Sequence, residues 1–194
     1  MRSEAFLNSF ALNLSRVFHP FIVSVPAAIV YLYIADLTLI DSLKWISIST
    51  SLTIVPTALF MKFHPKYHIR DINSRESRNL LYVIGLMELV FLTGILWILK
   101  APGLIRLLTY SIVLLTVVGA SINRVTKISL HVGVLSGFSA AFTFISLPLG
   151  LIGFLITVGV GWSRLRLERH TPQQVILGLI IPASCMFLVF QTLI

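Results

Sequence analysis

Charge is scarce in this chain. Only 11% of its 194 residues are charged, and just seven of those are Asp or Glu. Soluble domains carry about 25% charged residues, so this deficit excludes an ordinary water-soluble domain. The few acids form no cluster that reads as a metal site, and no cofactor is expected. Cysteine occurs once, at Cys185 within an apolar stretch. That excludes a disulfide or a thiolate metal site within one chain and leaves Cys185 as a small buried hydrophobe. The polar–apolar alternation of a membrane β-barrel is missing, as are low-complexity tracts and internal repeats. Residues 1–15 lack the compact apolar core and cleavage site of a signal peptide. With Phe6, Leu7, Phe10, Leu12 and Leu14, they are expected to form a short interfacial helix leading into the first span.

What the chain has in abundance is apolar sequence. Hydrophobic residues make up 57% and the mean hydropathy is +0.95. Seven apolar segments fall at 17–37, 44–61, 80–99, 104–122, 131–147, 149–162 and 175–194. A helix needs roughly 20 residues to cross a bilayer. The expected fold is therefore all-α: a polytopic transmembrane bundle of about six to seven spans, forming one integral membrane domain over 1–194. Two N-terminal spans would occupy 1–63, and 64–194 would be the core that carries the motifs. Pro20 and Pro26 interrupt the first segment, which spans tolerate when neighbours satisfy the backbone. Leu147, Pro148 and Leu149 read as a tight hairpin between the short fifth and sixth segments.

Seven crossings would place Lys44, Lys100 and Arg106 on one side and the other twelve of the 15 Lys and Arg residues on the other. The positive-inside rule makes the richer side cytoplasmic. Removing Arg75, Arg78 and Arg164 from that count leaves the bias intact. Arg70, Lys62, Lys66, Arg166 and Arg169 read as headgroup-facing cations, and His19, His64 and His68 as interfacial histidines. Trp45, Trp97 and Trp162 lie near segment ends, as interfacial anchors do. Glu88 sits mid-segment, where an acid normally faces the bundle interior. It is expected to pair with a polar group on a neighbouring span, such as Asn123 or Thr116; the alternative is a proton or cation site.

The reactive residues gather in three stretches that this topology puts on one side. The first runs 71–79 and holds Arg75 and Arg78. The second runs 124–131 and holds Ser129 and His131. The third runs 163–174 and holds Ser163, Arg164, Glu168, His170 and Gln174. Arginines beside two histidines suit the clamping and attack of a phosphate, because guanidinium offers paired planar donors and imidazole a nucleophile or proton carrier.

The order and spacing of these residues resemble the type 2 phosphatidic acid phosphatase superfamily of membrane lipid phosphatases, from Asp71 to the C-terminus. That family carries Lys-x6-Arg-Pro, Pro-Ser-Gly-His and Ser-Arg-x5-His-x3-Asp, in this order. Ser163, Arg164 and His170 match the third motif. Ser129 and His131 keep the Ser and His of the second. Arg78 fits the Arg of the first, with Asn79 for Pro and Asp71 at the Lys position; Arg75 is placed to supply the missing charge. The family's final Asp falls on Gln174, whose carbonyl can accept the imidazole N–H but adds no charge to stabilise an imidazolium. Glu168 is the other candidate anion.

The resemblance implies an integral membrane phosphatase acting on a lipid phosphate or diphosphate, either an isoprenyl diphosphate or a phosphatidic-acid-like lipid. His170 would be the nucleophile, His131 the proton donor, Arg78, Arg75, Arg164 and Ser129 the phosphate ligands, and Gln174 the support for His170. The expected partners are the bilayer and the lipid substrate; nucleic acid is not expected, and no metal is called for. The location implied is the cell membrane, with the motif loops cytoplasmic. The alternative is a catalytically weak or inactive relative that binds anionic lipid headgroups. A small transporter with Glu88 as its coupling site is a third reading.

Overall fold

The structure is a computed structural model that describes residues 2–63 and 75–193, without the side chains of Arg2, Ser3, Phe21, Arg75, Glu76 and Ser77. The described residues form eight helices and no strand. They are α1 (Arg2–Val17), α2 (Pro20–Ile34), α3 (Leu39–Phe63), α4 (Arg75–Ile98), α5 (Gly103–Asn123), α6 (Leu130–Thr143), α7 (Leu147–Arg166) and α8 (Pro172–Leu193). One helix covers each apolar segment, and α1 precedes them.

Five of these, α3, α4, α5, α7 and α8, are long and apolar enough to cross a bilayer. The α1–α2 pair, bent by 54°, makes a sixth if it is one span. Helix α6 has only 14 residues. At 1.5 Å per residue it rises about 21 Å, short of the roughly 30 Å hydrocarbon core. Large apolar side chains point outward: Leu155 is 73% exposed and Ile98 75%, whereas Ser129, Ser136, Thr157 and Ser163 are fully buried. This inverted pattern suits a lipid solvent, where helices associate through close packing and small polar residues rather than through hydrophobic exclusion.

Helix α6 packs between α7 and α8 through small residues. A Cβ at Gly150 would meet Thr143 Cγ2 at 2.2 Å and the Thr143 backbone N at 2.8 Å. One at Gly178 would meet the Ser129 carbonyl oxygen at 2.9 Å. Ser136 donates across the α6–α8 interface to the Leu179 carbonyl. At the end of the bundle where α2, α6 and α8 finish, Tyr31 stands edge-on to Phe142 and Phe190, at 5.5 and 6.3 Å between ring centroids. Trp45 is buried in this same cluster at 6% exposure rather than standing at the interface, whereas Trp97 and Trp162 are exposed.

Helix ends carry the turns. Asp36, Lys100 and Glu168 adopt left-handed φ values of 65°, 53° and 53°. After each, the next residue bonds back five positions: Leu37 to Leu32, Ala101 to Leu96 and Arg169 to Arg164. These are three Schellman ends with a non-glycine residue in glycine's usual place. At the start of α3 the Asp41 N–H donates to Thr38 Oγ1 at 3.0 Å, an N-cap bond, and the Thr38 hydroxyl donates to Asp41 Oδ2 at 2.8 Å.

Three sequence expectations are corrected. The α6–α7 turn occupies Phe144, Ile145 and Ser146, and Pro148 lies in the first turn of α7. Proline's missing N–H is unneeded there, so it starts the helix instead of breaking it. Arg164 and Arg166 belong to the last turn of α7 rather than to a loop, where cations oppose the negative helix end. Glu88 does pair with a polar group on a neighbouring helix, as expected, but that partner is neither Asn123 nor Thr116. Thr57 of α3 hydrogen bonds to both its carboxylate oxygens, at 3.0 and 2.8 Å.

Candidate active site

Helices α6 and α8 start at the end of the bundle where α7 finishes, because α6 and α8 run parallel and α7 runs antiparallel to α6. Glu168 turns the chain sharply out of α7. Pro172 then opens α8, where its fixed φ suits the first helical position. His170 sits on this short connection. Its Nδ1 lies 2.8 Å from Gln174 Oε1, one helical turn onward. A carbonyl oxygen can only accept, so Nδ1 carries the proton and Nε2 keeps its lone pair.

The second stretch joins α8 directly. The Ser129 N–H donates to the Gln174 carbonyl at 3.2 Å, and Gly178 lets the two backbones approach. Ser129 caps α6 with its side chain fully buried, and its Oγ has no hydrogen-bond partner among the described residues. His131 follows in the first turn of α6. Arg164, His19 and His170 are the charged groups close enough to act on its ring, and the Ser15 backbone is close enough to favour a proton there. Arg164 reaches from the last turn of α7 and donates from Nη1 to Ser15 Oγ at 2.6 Å.

The first stretch arrives by antiparallel packing of α4 on α5. Asn123 Nδ2 donates to Asn79 Oδ1 at 2.9 Å, which brings the neighbouring Arg78 to the same end. The Arg75 side chain lies outside the described residues, as does Asp71 altogether. Arg164, Arg78 and Lys127 all act on His170. A cleft of about 550 Å³ opens beside it, lined by Lys127, Leu165, Glu168, Arg169, Thr171 and Gln174 among others. Glu168 is an exposed member of this rim, and it is Gln174 rather than Glu168 that holds the His170 ring.

Burial pushes the His170 imidazole below the usual histidine range. The hydrogen bond that His170 donates to Gln174 opposes that shift, while the charges of Arg164, Arg78 and Lys127 add to it. His170 is therefore neutral, and so nucleophilic, at neutral pH. The surrounding cations and the positive ends of α6 and α8 favour an anion in front of it. Among the described residues no group of His, Cys, Asp or Glu is arranged to hold a metal ion.

Three contributors escape sequence reasoning. Lys127 counts there only towards topology, yet it lines the His170 cleft and its charge acts on that ring. Ser15 and His19 lie more than a hundred residues from the groups they touch, and no local pattern marks them. His19 stands edge-on to His131, with ring centroids 5.1 Å apart. No family model matches the chain, and no curated protein or solved structure matches it either.

Proposed function

We propose that this chain is an integral membrane phosphatase that removes phosphate from a lipid phosphate or diphosphate through a phosphohistidine intermediate. The observation that carries the reading is His170, held by Gln174 and ringed by Arg164, Arg78 and Lys127, with His131 close by. In the first step His170 Nε2 attacks phosphorus, and the bond to the lipid oxygen breaks. His131, which burial and the charge of Arg164 hold neutral before substrate arrives, takes up a second proton as the phosphate dianion binds and passes it to the departing alkoxide. The arginines and Lys127 hold the non-bridging oxygens, whose charge must be balanced as the bond breaks. In the second step His131 takes a proton from water, which attacks the phosphohistidine and frees phosphate and His170. The apolar outer faces of the helices would hold the lipid tail while the head enters the cleft.

A second reading, a binder of anionic lipid headgroups with little turnover, is favoured by one feature. Gln174 is neutral, so a developing imidazolium at His170 lacks the charge that a carboxylate would give it. Phosphate release by the detergent-purified protein from phosphatidic acid and isoprenyl diphosphates, beside His170→Ala, separates the two. The phosphatase reading expects release by the parent chain and its loss in the variant. Absence of release from a folded parent chain that still binds these lipids would move the assignment to the binder.

A further inference from the structure

We infer that the elbow between α1 and α2, which lies outside the stretch of family resemblance, completes the phosphate site, with Ser15 as a positioning residue for both Arg164 and His131. The inference rests on the phosphatase reading for the roles of those two groups, and on contacts of its own for the rest. Ser15 is 5% exposed and faces the site with two different atoms. Its Oγ accepts a hydrogen bond from Arg164 Nη1 at 2.6 Å, and its backbone is close enough to the His131 ring to favour a proton there.

Each contact removes one freedom that catalysis cannot tolerate. A guanidinium on a four-bond stem has many rotamers, and fixing it before phosphate arrives lowers the entropy lost on binding. Arg164 Nε is buried and has no partner among the described residues, so the fork keeps a donor for an incoming oxyanion. For His131, a backbone carbonyl beside the ring favours the tautomer whose N–H is turned towards it and leaves the other nitrogen to handle the proton. His19, edge-on at 5.1 Å, limits rotation of that ring from the other side.

The elbow is itself anchored. Helix α1 runs antiparallel to α7, with Leu14 beside Gly159, Phe10 against Trp162, and Glu4 and Asn8 both engaging Arg166. Arg166 thus serves as the pin that holds Ser15 against Arg164. The N-terminal helix is a wall of the site, not only a lead into the membrane.

Titration of inorganic phosphate into the detergent-solubilised full chain tests this without depending on turnover. Ser15→Ala should weaken phosphate binding about tenfold, the usual scale for losing a charged hydrogen bond, and Ser15→Thr should restore it. Ser15→Cys, similar in size but a poor acceptor, should show the same loss if the alanine variant does not fold. A purely structural role predicts a lower melting temperature with unchanged affinity. Unchanged affinity in folded Ser15→Ala or Ser15→Cys, or no rescue by threonine, overturns the inference. Lipid phosphate hydrolysis is followed in parallel. If the parent chain binds phosphate but releases none from lipid, the phosphatase reading fails while the elbow's role is still decided by the affinities.

Discussion

His170 and its neighbours make opposing contributions that can be read by titration. The group must be neutral to attack, so activity falls as pH drops through its pKa. Burial and three cations hold that pKa down. The acid limb of kcat/KM should therefore lie below about 6.5, the unperturbed histidine value. Gln174 works the other way: Gln174→Ala should move the limb to lower pH and slow release, whereas Gln174→Glu should move it higher. Lys127→Met, which removes a repelling charge, should also shift it upward and raise KM. A pH–rate profile that is the same in all three variants would remove His170 from the chemistry. Gln174 was readable as the family's Asp position, one helical turn after His170. Lys127 was not, because only the packing of the second stretch on the start of α8 brings it to the cleft.

At the scale of the helices, close contacts and strained ends set the tolerances. Helix α7 meets α6 at Gly150, where an added methyl would overlap Thr143. Gly150→Ala should cost about 1–3 kcal/mol, as overpacking does, and lower the thermal midpoint in detergent. At the end of α4, Lys100 occupies a left-handed position at φ 53°, remote from the cleft. Glycine relieves that conformation, which costs an L-residue roughly 1–2 kcal/mol, so Lys100→Gly should raise the midpoint with hydrolysis unchanged. The α3–α4 contact is a half-buried acid held by Thr57. Thr57→Val should destabilise the pair by about 0.5–1.5 kcal/mol, the net range for losing a hydrogen bond. Hydropathy alone located all of these helices. Their ends shifted where capping chemistry overrode it, at Pro148 and in the last turn of α7.

Across the whole molecule, alternating helix direction gathers the reactive residues at one end. Lys44, Lys100 and Arg106 fall at the other end, where α2 meets α3 and α4 meets α5. The excess of cations on the site end leads us to propose, by the positive-inside rule, that this end faces the cytoplasm. The single native cysteine, Cys185, is buried, so introduced cysteines can be labelled with little background. In intact cells, Asp36→Cys and Lys100→Cys should react with a membrane-impermeant maleimide, and Glu168→Cys only after permeabilisation. The reverse pattern would put the cleft on the outer face and require substrate from that leaflet.

The sequence by itself determined the class of this protein, because composition decides which solvent a chain can fold in and helices are local objects. It also determined the short-range geometry of the candidate site: His170 and Gln174 lie four residues apart, the spacing of one helical turn. Long-range neighbours were decided by the tertiary structure alone. Thr57 beside Glu88, Trp45 in the core, and Ser15 and His19 against Arg164 and His131 all depend on which helices pack together. In a bilayer that choice rests on the fit of small residues and on single polar contacts rather than on burying apolar surface, and neither leaves a periodic mark in the sequence.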